Sequence, residues 1–388
     1  MMARRLFLLF LLSLNVGCSW LGGWFGGSDY SIPPAELKPI AQPLAVQELW
    51  QTQVGSGSKS EFIRLTPALA EGRLYAASVD GLVIALDALN GQRSWQTDTG
   101  LPISGGVGIS EDGLVLVGSA KGQVVALRQD NGQEVWRAQV SSEVLAAPRA
   151  GHGVVVIRTG DGKFTALDAR TGERRWVYAA AMPALSLRGS ASPLLTRTLV
   201  IAGLDSGKLL VLTLDKGVPV IEKTLVPTRG RTEIERLTDM DSEPKTFGEN
   251  LYLAAYRGGV IAMDMRDGHL LWNREVSSYA GLDVDERQLY VSDEAGAVLA
   301  LDRRSGEVLW KQTELSGRRL SAPVATSGHV VVGDFQGYLH WLRKDNGQIV
   351  GRSRAASKAL VAPPLAAGAV VFAQSQDGAL GAFRAGPP

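Results

Sequence analysis

The stretch ALDARTGERRW (166–176) decides how this 388-residue chain is read, because it recurs. Four others align with it without gaps: ALDALNGQRSW (85–95), ALRQDNGQEVW (126–136), AMDMRDGHLLW (262–272) and ALDRRSGEVLW (300–310). Two weaker copies, VLTLDKGVPVI (211–221) and WLRKDNGQIVG (341–351), keep the glycine and lose the tryptophan, and a truncated GAFRAGPP ends the chain. Upstream of each copy stands another glycine: Gly81, Gly122, Gly162, Gly207, Gly258, Gly296, Gly337 and Gly378. Their successive spacings of 41, 40, 45, 51, 38, 41 and 41 define eight units.

Each unit reads as four short strands. In the third, VVVIRT and KFTALDA are apolar or alternating runs joined by Gly160-Asp161-Gly162, a tight-hairpin signal. At the next turn Gly172 stands where a residue with positive φ is needed, and ERRWVY follows as an outer strand. No stretch of the repeat region sustains a 3.6-residue apolar period, so few helices are expected. A lone four-stranded sheet cannot bury both faces, whereas neighbours stacked in a ring bury them and leave only short edges. The sequence thus predicts an all-β fold, an eight-bladed β-propeller of four-stranded antiparallel blades. The eighth unit stops before its outer strand, while the chain opens with an orphan, ELWQTQV (48–54), whose Trp50 resembles the repeat tryptophans. The N-terminal strand should therefore complete the last blade and close the ring. Two separate β domains would leave both the orphan strand and the truncated repeat unexplained.

The propeller is expected over residues 45–388. Ahead of it, Arg4 and Arg5 precede the apolar run LFLLFLLSL (6–14) and then Asn15-Val16-Gly17-Cys18. That run is too short to span a bilayer, which takes roughly 20 apolar residues. A basic start, a short apolar stretch and a small residue before the cleavage point read as a secretory signal over residues 1–17. Cys18 after Gly17 resembles a bacterial lipoprotein lipobox, although Asn15 stands where leucine is usual. The resemblance implies acylation of Cys18, and Ser19 in place of aspartate implies sorting to the outer membrane. An ordinary signal peptide with a chance cysteine is the alternative. Residues 18–44, rich in Gly and Pro, read as a lipidated N-terminus and flexible tether.

Charge and cysteine content exclude several functions. Forty Lys+Arg face 39 Asp+Glu, and removing Arg4 and Arg5 with the leader leaves 38 against 39, without the excess that would attract nucleic acid. One cysteine allows no intramolecular disulfide and no cysteine-rich zinc site. His152, His269, His329 and His340 lack metal-ligand spacing. GSGSKS (55–60) lacks the glycine before its lysine that a phosphate loop requires. Asp239-Met240-Asp241-Ser242-Glu243 imitates the opening of a calcium loop, but Pro244 occupies the sharp-turn glycine position. No catalytic residue, metal or cofactor is expected.

Loop lengths point to binding instead. From outer-strand position to the next inner-strand proline, Trp136 to Pro148, Trp310 to Pro323 and Gly351 to Pro363 take 12, 13 and 12 residues. Trp50 to Pro67 and Trp176 to Pro193 take 17, and Ile221 to Pro244 takes 23. These loops all open on one face of a propeller, and the last two belong to consecutive junctions. Length beyond what closes a blade is where function tends to reside.

The repeat A-x-D-x-x-T-G-x-x-x-W resembles that of the pyrroloquinoline-quinone dehydrogenase propellers, in which the tryptophan packs between blades. That family usually also carries a vicinal cysteine pair over its quinone, for which this chain has no second cysteine. Met182-Pro-Ala-Leu-Ser-Leu-Arg-Gly189, the insertion 232–244 and YLHW (338–341) closely resemble segments of the BamB family, lipoprotein subunits of the outer-membrane β-barrel assembly machinery. The resemblance implies a non-enzymatic scaffold lipoprotein, held at the periplasmic face of the outer membrane by its lipid, that contacts the POTRA domains of BamA. The partner-binding residues carried over are Leu185, Leu187 and Arg188 in the first insertion and Asp239 and Asp241 in the second. Nascent outer-membrane proteins are a further candidate partner, through the blades' edge strands. Two alternatives stay open at this point. Leu185 and Leu187 fold under their loop while Arg188 pairs with Asp239, or the chain is a periplasmic quinoprotein-like or ligand-binding propeller.

Overall fold

In the third unit Gly162, at φ +76°, closes the hairpin between Val154–Arg158 and Lys163–Asp168, and Thr159 N donates to Lys163 O at 2.9 Å. The carboxylate of Asp168 organises the following turn, accepting the amides of Arg170 and Thr171 at 3.0 Å. Arg175 donates to it at 2.7 Å and, with those amides, holds the carboxyl down at about 2. The chain then returns as the outer strand Arg174–Ala179, and Arg149–Gly151 forms the inner strand. The two middle strands are buried on both faces, while the outer strand buries little beyond Trp176. Each fully buried Val, Leu or Ile contributes about 1.5–3 kcal/mol, so the middle strands carry the stability of a blade.

The computed structural model describes residues 32–59, 63–185, 191–227, 232, 238–240 and 242–386. Among these the pattern repeats as eight four-stranded antiparallel sheets without a helix. The chain is an eight-bladed β-propeller. Blade 1 begins at Ala68–Ala70 and blade 7 ends at Ile349–Arg354. Blade 8 is composite: Leu365–Ala367, Val370–Gln374 and Ala379–Ala385 are completed by Val46–Gln53 from the N-terminal side.

The repeat tryptophans join blades. Trp136 lies opposite Ala126 in its own sheet, donates Nε1 to Ala169 O of blade 3 at 2.8 Å and covers Gly172. Trp95 does the same to Gln129 O and Gly132, and Trp272 to Arg303 O and Gly306. Blade 7 inverts the pair, placing Trp341 opposite Gly351. The reason is topological. Blade 8 has no covalent turn between its last two strands to receive an indole from blade 7, and Leu44 and Val46 approach Gly351 instead.

Composition alone assigns residues 18–44 to a tether, but residues 35–44 lie against blade 7. Ala35 N donates to Ser316 O at 2.8 Å and Leu44 N to Val350 O at 2.7 Å, while Leu37 packs on the core between blades 6 and 7. An outer strand leaves unpaired carbonyls along its edge, and Val350 supplies one that Leu44 satisfies.

Candidate docking face

The two insertions join blade 3 to blade 4 and blade 4 to blade 5, and their described ends are built into the blades. Met182 of the first lies against the hairpin glycine Gly162. Ser192, at the other end of that loop, donates Oγ to Ala147 O at 2.9 Å. Beneath it runs a buried ion pair between blades: Arg158 bonds Asp205 and donates Nη1 to Gly203 O at 3.1 Å. Such a pair contributes geometry more than net stability, since its desolvation offsets most of its attraction.

The second insertion begins at Val226, whose amide bonds Gly207 O at 3.0 Å, and returns through Thr238, Asp239 and Met240. Met240 is fully buried among Ile201, Leu209, Val226 and Leu253, in a space that Gly203 leaves open. Asp239 bridges to Tyr256, whose amide donates to Asp239 O at 2.8 Å. Ser242 closes the loop, its hydroxyl donating to Ala254 O at 2.6 Å and accepting Ala254 N at 2.9 Å.

At the axis the inner strands enclose a cavity of about 540 Å³ whose charged lining includes Arg64, Arg149, Glu243, Lys245 and Asp283. These groups engage one another or the backbone. Glu243 pairs with Arg149 and, at 3.5 Å, with Lys245, and Asp283 accepts Ala325 N at 2.8 Å. Burial opposes ionisation of Glu243, but the two cations outweigh it and keep its carboxyl below the ordinary value. Asp283 is pushed up by burial, which its weaker partners do not overcome.

A family model described as "Outer membrane protein assembly factor BamB" matches residues 47–104, 98–312 and 295–386. The chain belongs to the BamB family. Proteins named outer membrane protein assembly factor BamB are 36% identical over 376 residues in Bordetella pertussis, covering 97% of this chain and 95% of the relative. The one from Pseudomonas aeruginosa is 39% identical, covering 97% of each. The crystal structure of BamB from Moraxella catarrhalis superposes with a TM-score of 0.80 at 29% identity, covering 88% of this chain and all of that one. Quinohemoprotein alcohol dehydrogenase from Comamonas testosteroni reaches 0.69 at 15% identity over 87% of this chain and 76% of its own, which shows the shared fold alone.

The structure distributes the residues singled out from the family resemblance unevenly. Leu185 is exposed at 47%, its side chain in solvent on the first insertion. Leu187, Arg188 and Asp241 lie outside the described residues, as does Cys18. Asp239, expected to face a partner, is exposed by only 1%, because the bridge to Tyr256 turns it inward beside Met240. Sequence reading missed the framework under these loops: Met240, Ser242 and the Arg158–Asp205 pair. Loop length reveals that an insertion exists, but nothing in the residue types marks which of them turn inward.

Proposed function

We propose that this chain is a non-enzymatic scaffold lipoprotein of the outer-membrane protein assembly complex, docking through its loop face onto the POTRA domains of BamA. Similarity over nearly the whole chain to proteins named outer membrane protein assembly factors carries the proposal. The paired insertions support the docking site: they occupy consecutive junctions, on a framework fixed by Met240 and the Arg158–Asp205 pair. Leu185, Leu187 and Arg188 make the contact from the first loop and Asp241 from the second, while Asp239 positions that second loop from beneath. Each buried leucine contributes about 1.5–3 kcal/mol, and the charges set orientation more than affinity. Nascent barrel proteins adding strands to the blade edges is a secondary role.

Substituting Leu185→Asp or Arg188→Glu should leave the melting temperature within about 2 °C of wild type, since surface changes away from structural features are usually worth less than ~0.5 kcal/mol. Binding to purified POTRA domains, measured by calorimetry, should weaken by at least about tenfold, or 1.4 kcal/mol. Wild-type affinity in both variants would remove this face from consideration.

Acylation of Cys18 holds the scaffold on the periplasmic face of the outer membrane, several acyl chains at ~0.8 kcal/mol per buried CH₂ being ample. Cys18→Ala should abolish incorporation of a clickable palmitate and leave the fold intact. Label persisting in that variant would exclude the anchor.

A further inference from the structure

Two carbonyls of the N-terminal segment are held by arginines of the propeller. Arg318 Nη1 donates to Ala35 O at 2.9 Å, and Arg352 Nη1 donates to Lys38 O at 3.1 Å. Arg318 sits in the loop from blade 6 to blade 7, buried, with Nε on Asp334 Oδ2 at 2.8 Å and Nη2 on Gln336 Oε1 at 2.5 Å. Its guanidinium also lies over the ring of Phe335 at 5.2 Å. Asp334 accepts from His340 Nε2 at 2.9 Å, and Arg352 Nε donates to His340 Nδ1 at 3.4 Å. A continuous hydrogen-bonded path therefore runs from Ala35 through Arg318, Asp334, His340 and Arg352 to Lys38. It requires a neutral imidazole with the proton on Nε2. Burial supplies that condition, lowering His340 below its ordinary 6.5 against the opposing pull of Asp334.

Stability alone is a poor reason for this arrangement. Asp334 and His340 are fully buried, and well-packed apolar residues of similar volume would serve a core as well or better. What a buried polar path supplies is a fixed direction. The segment runs antiparallel to Ile349–Arg354, with Leu44 bonded to Val350 and Lys38 to Arg352, so its upstream end lies at Ser316. Ser316 belongs to a loop from an outer strand to the next inner strand, on the same face as the two insertions.

We propose that Arg318 and Arg352, aligned by Asp334 and His340, clamp residues 35–44 so that the membrane tether leaves the propeller from the face that carries the docking loops. The proposal rests on the lipoprotein reading for its membrane part, and on the clamp geometry for the rest. Released, residues 35–44 would add about 35 Å of slack at ~3.4 Å per residue, enough to uncouple the face from the bilayer.

The test uses the full lipidated chain carrying Arg318→Gln with Arg352→Gln. Arg352→Gln alone, which leaves the buried Arg318–Asp334 pair intact, serves if the double variant does not fold. Glu36 lies between the held Ala35 and the packed Leu37, so glutamyl endopeptidase reads the clamp directly. Cleavage after Glu36 should accelerate by at least about tenfold while the propeller melts as before, on the rule that cleavage tracks the population of the open form. The second readout is energy transfer to a bilayer dye in vesicles of phosphatidylethanolamine and phosphatidylglycerol. One fluorophore is placed at Lys121→Cys, on a hairpin of the loop face, and another at Leu89→Cys, on a turn of the opposite face. The two labels should differ in transfer in the clamped protein and converge in the variant. Unchanged cleavage in a folded variant overturns the clamp. Faster cleavage with an undiminished difference between the labels overturns its role in directing the tether. No transfer from either label in the clamped protein overturns the lipoprotein reading, leaving the cleavage result to judge the clamp by itself.

Discussion

A chain that starts at residue 55 should aggregate on expression instead of melting cooperatively, whereas one that starts at residue 34 should melt within a few degrees of one that starts at residue 18. Removing Val46–Gln53 strips blade 8 of its outer strand and exposes Ala379–Ala385 as an open apolar edge. It also removes Trp50, whose indole packs at 5.9 Å from Phe372, donates Nε1 to Ala88 O at 3.1 Å and covers Gly91 of blade 1. Losing that side chain alone, as Trp50→Ala, should cost about 3–5 kcal/mol. Losing the strand weakens the ring as well, since of the bonds from blade 8 to blade 1 it removes that of Trp50 and leaves Gln374 Nε2 on Ala77 O at 2.8 Å. Size-exclusion chromatography and a thermal melt of the two truncations decide the matter. Equal melting temperatures would refute the closure by Val46–Gln53.

The second large effect concerns a matched pair of glycines. Gly172 and Gly268 occupy equivalent turns at nearly equal φ, +74° and +73°. A Cβ at Gly172 would stand 2.8 Å from the ring of Trp136, while at Gly268 it would meet only Ile221 Cδ1 at 3.5 Å. Both Gly→Ala substitutions suffer the left-handed strain of an L-residue, roughly 1–2 kcal/mol. Only Gly172→Ala also displaces an indole that is hydrogen-bonded into the next blade, for which overpacking adds about 1–3 kcal/mol. Urea denaturation should therefore rank Gly172→Ala as the more damaging by that second amount. Equal losses would mean that the indole moves aside freely and that the Trp136–Gly172 contact holds nothing.

The number of blades, their strands and the means of closure were all legible in the residues, because each is encoded by local features that repeat. A glycine for a positive φ, an aspartate to cap a turn and an alternating run for a strand act within a few residues of one another. The truncated last repeat and the orphan ELWQTQV were legible for the same reason: a missing member of a repeat can be counted.

Tertiary structure decided the remaining questions. Trp136 stands four residues after a glycine in its own repeat, yet it lies on Gly172 of the following one, and only ring stacking shows which glycine receives it. Residues 35–44 carry no period because they are held by side chains of Arg318 and Arg352 reaching their carbonyls, and a carbonyl is common to every residue type. Loop length located the two insertions, but Asp239 and Leu185 face opposite ways there, one bridged to Tyr256 beneath the surface and the other in solvent. Local conformational preference, summed along the chain, determined the blades. Contacts between residues far apart in sequence, which no local preference encodes, decided how the blades are latched, where the N-terminal segment lies and which side chains the face presents.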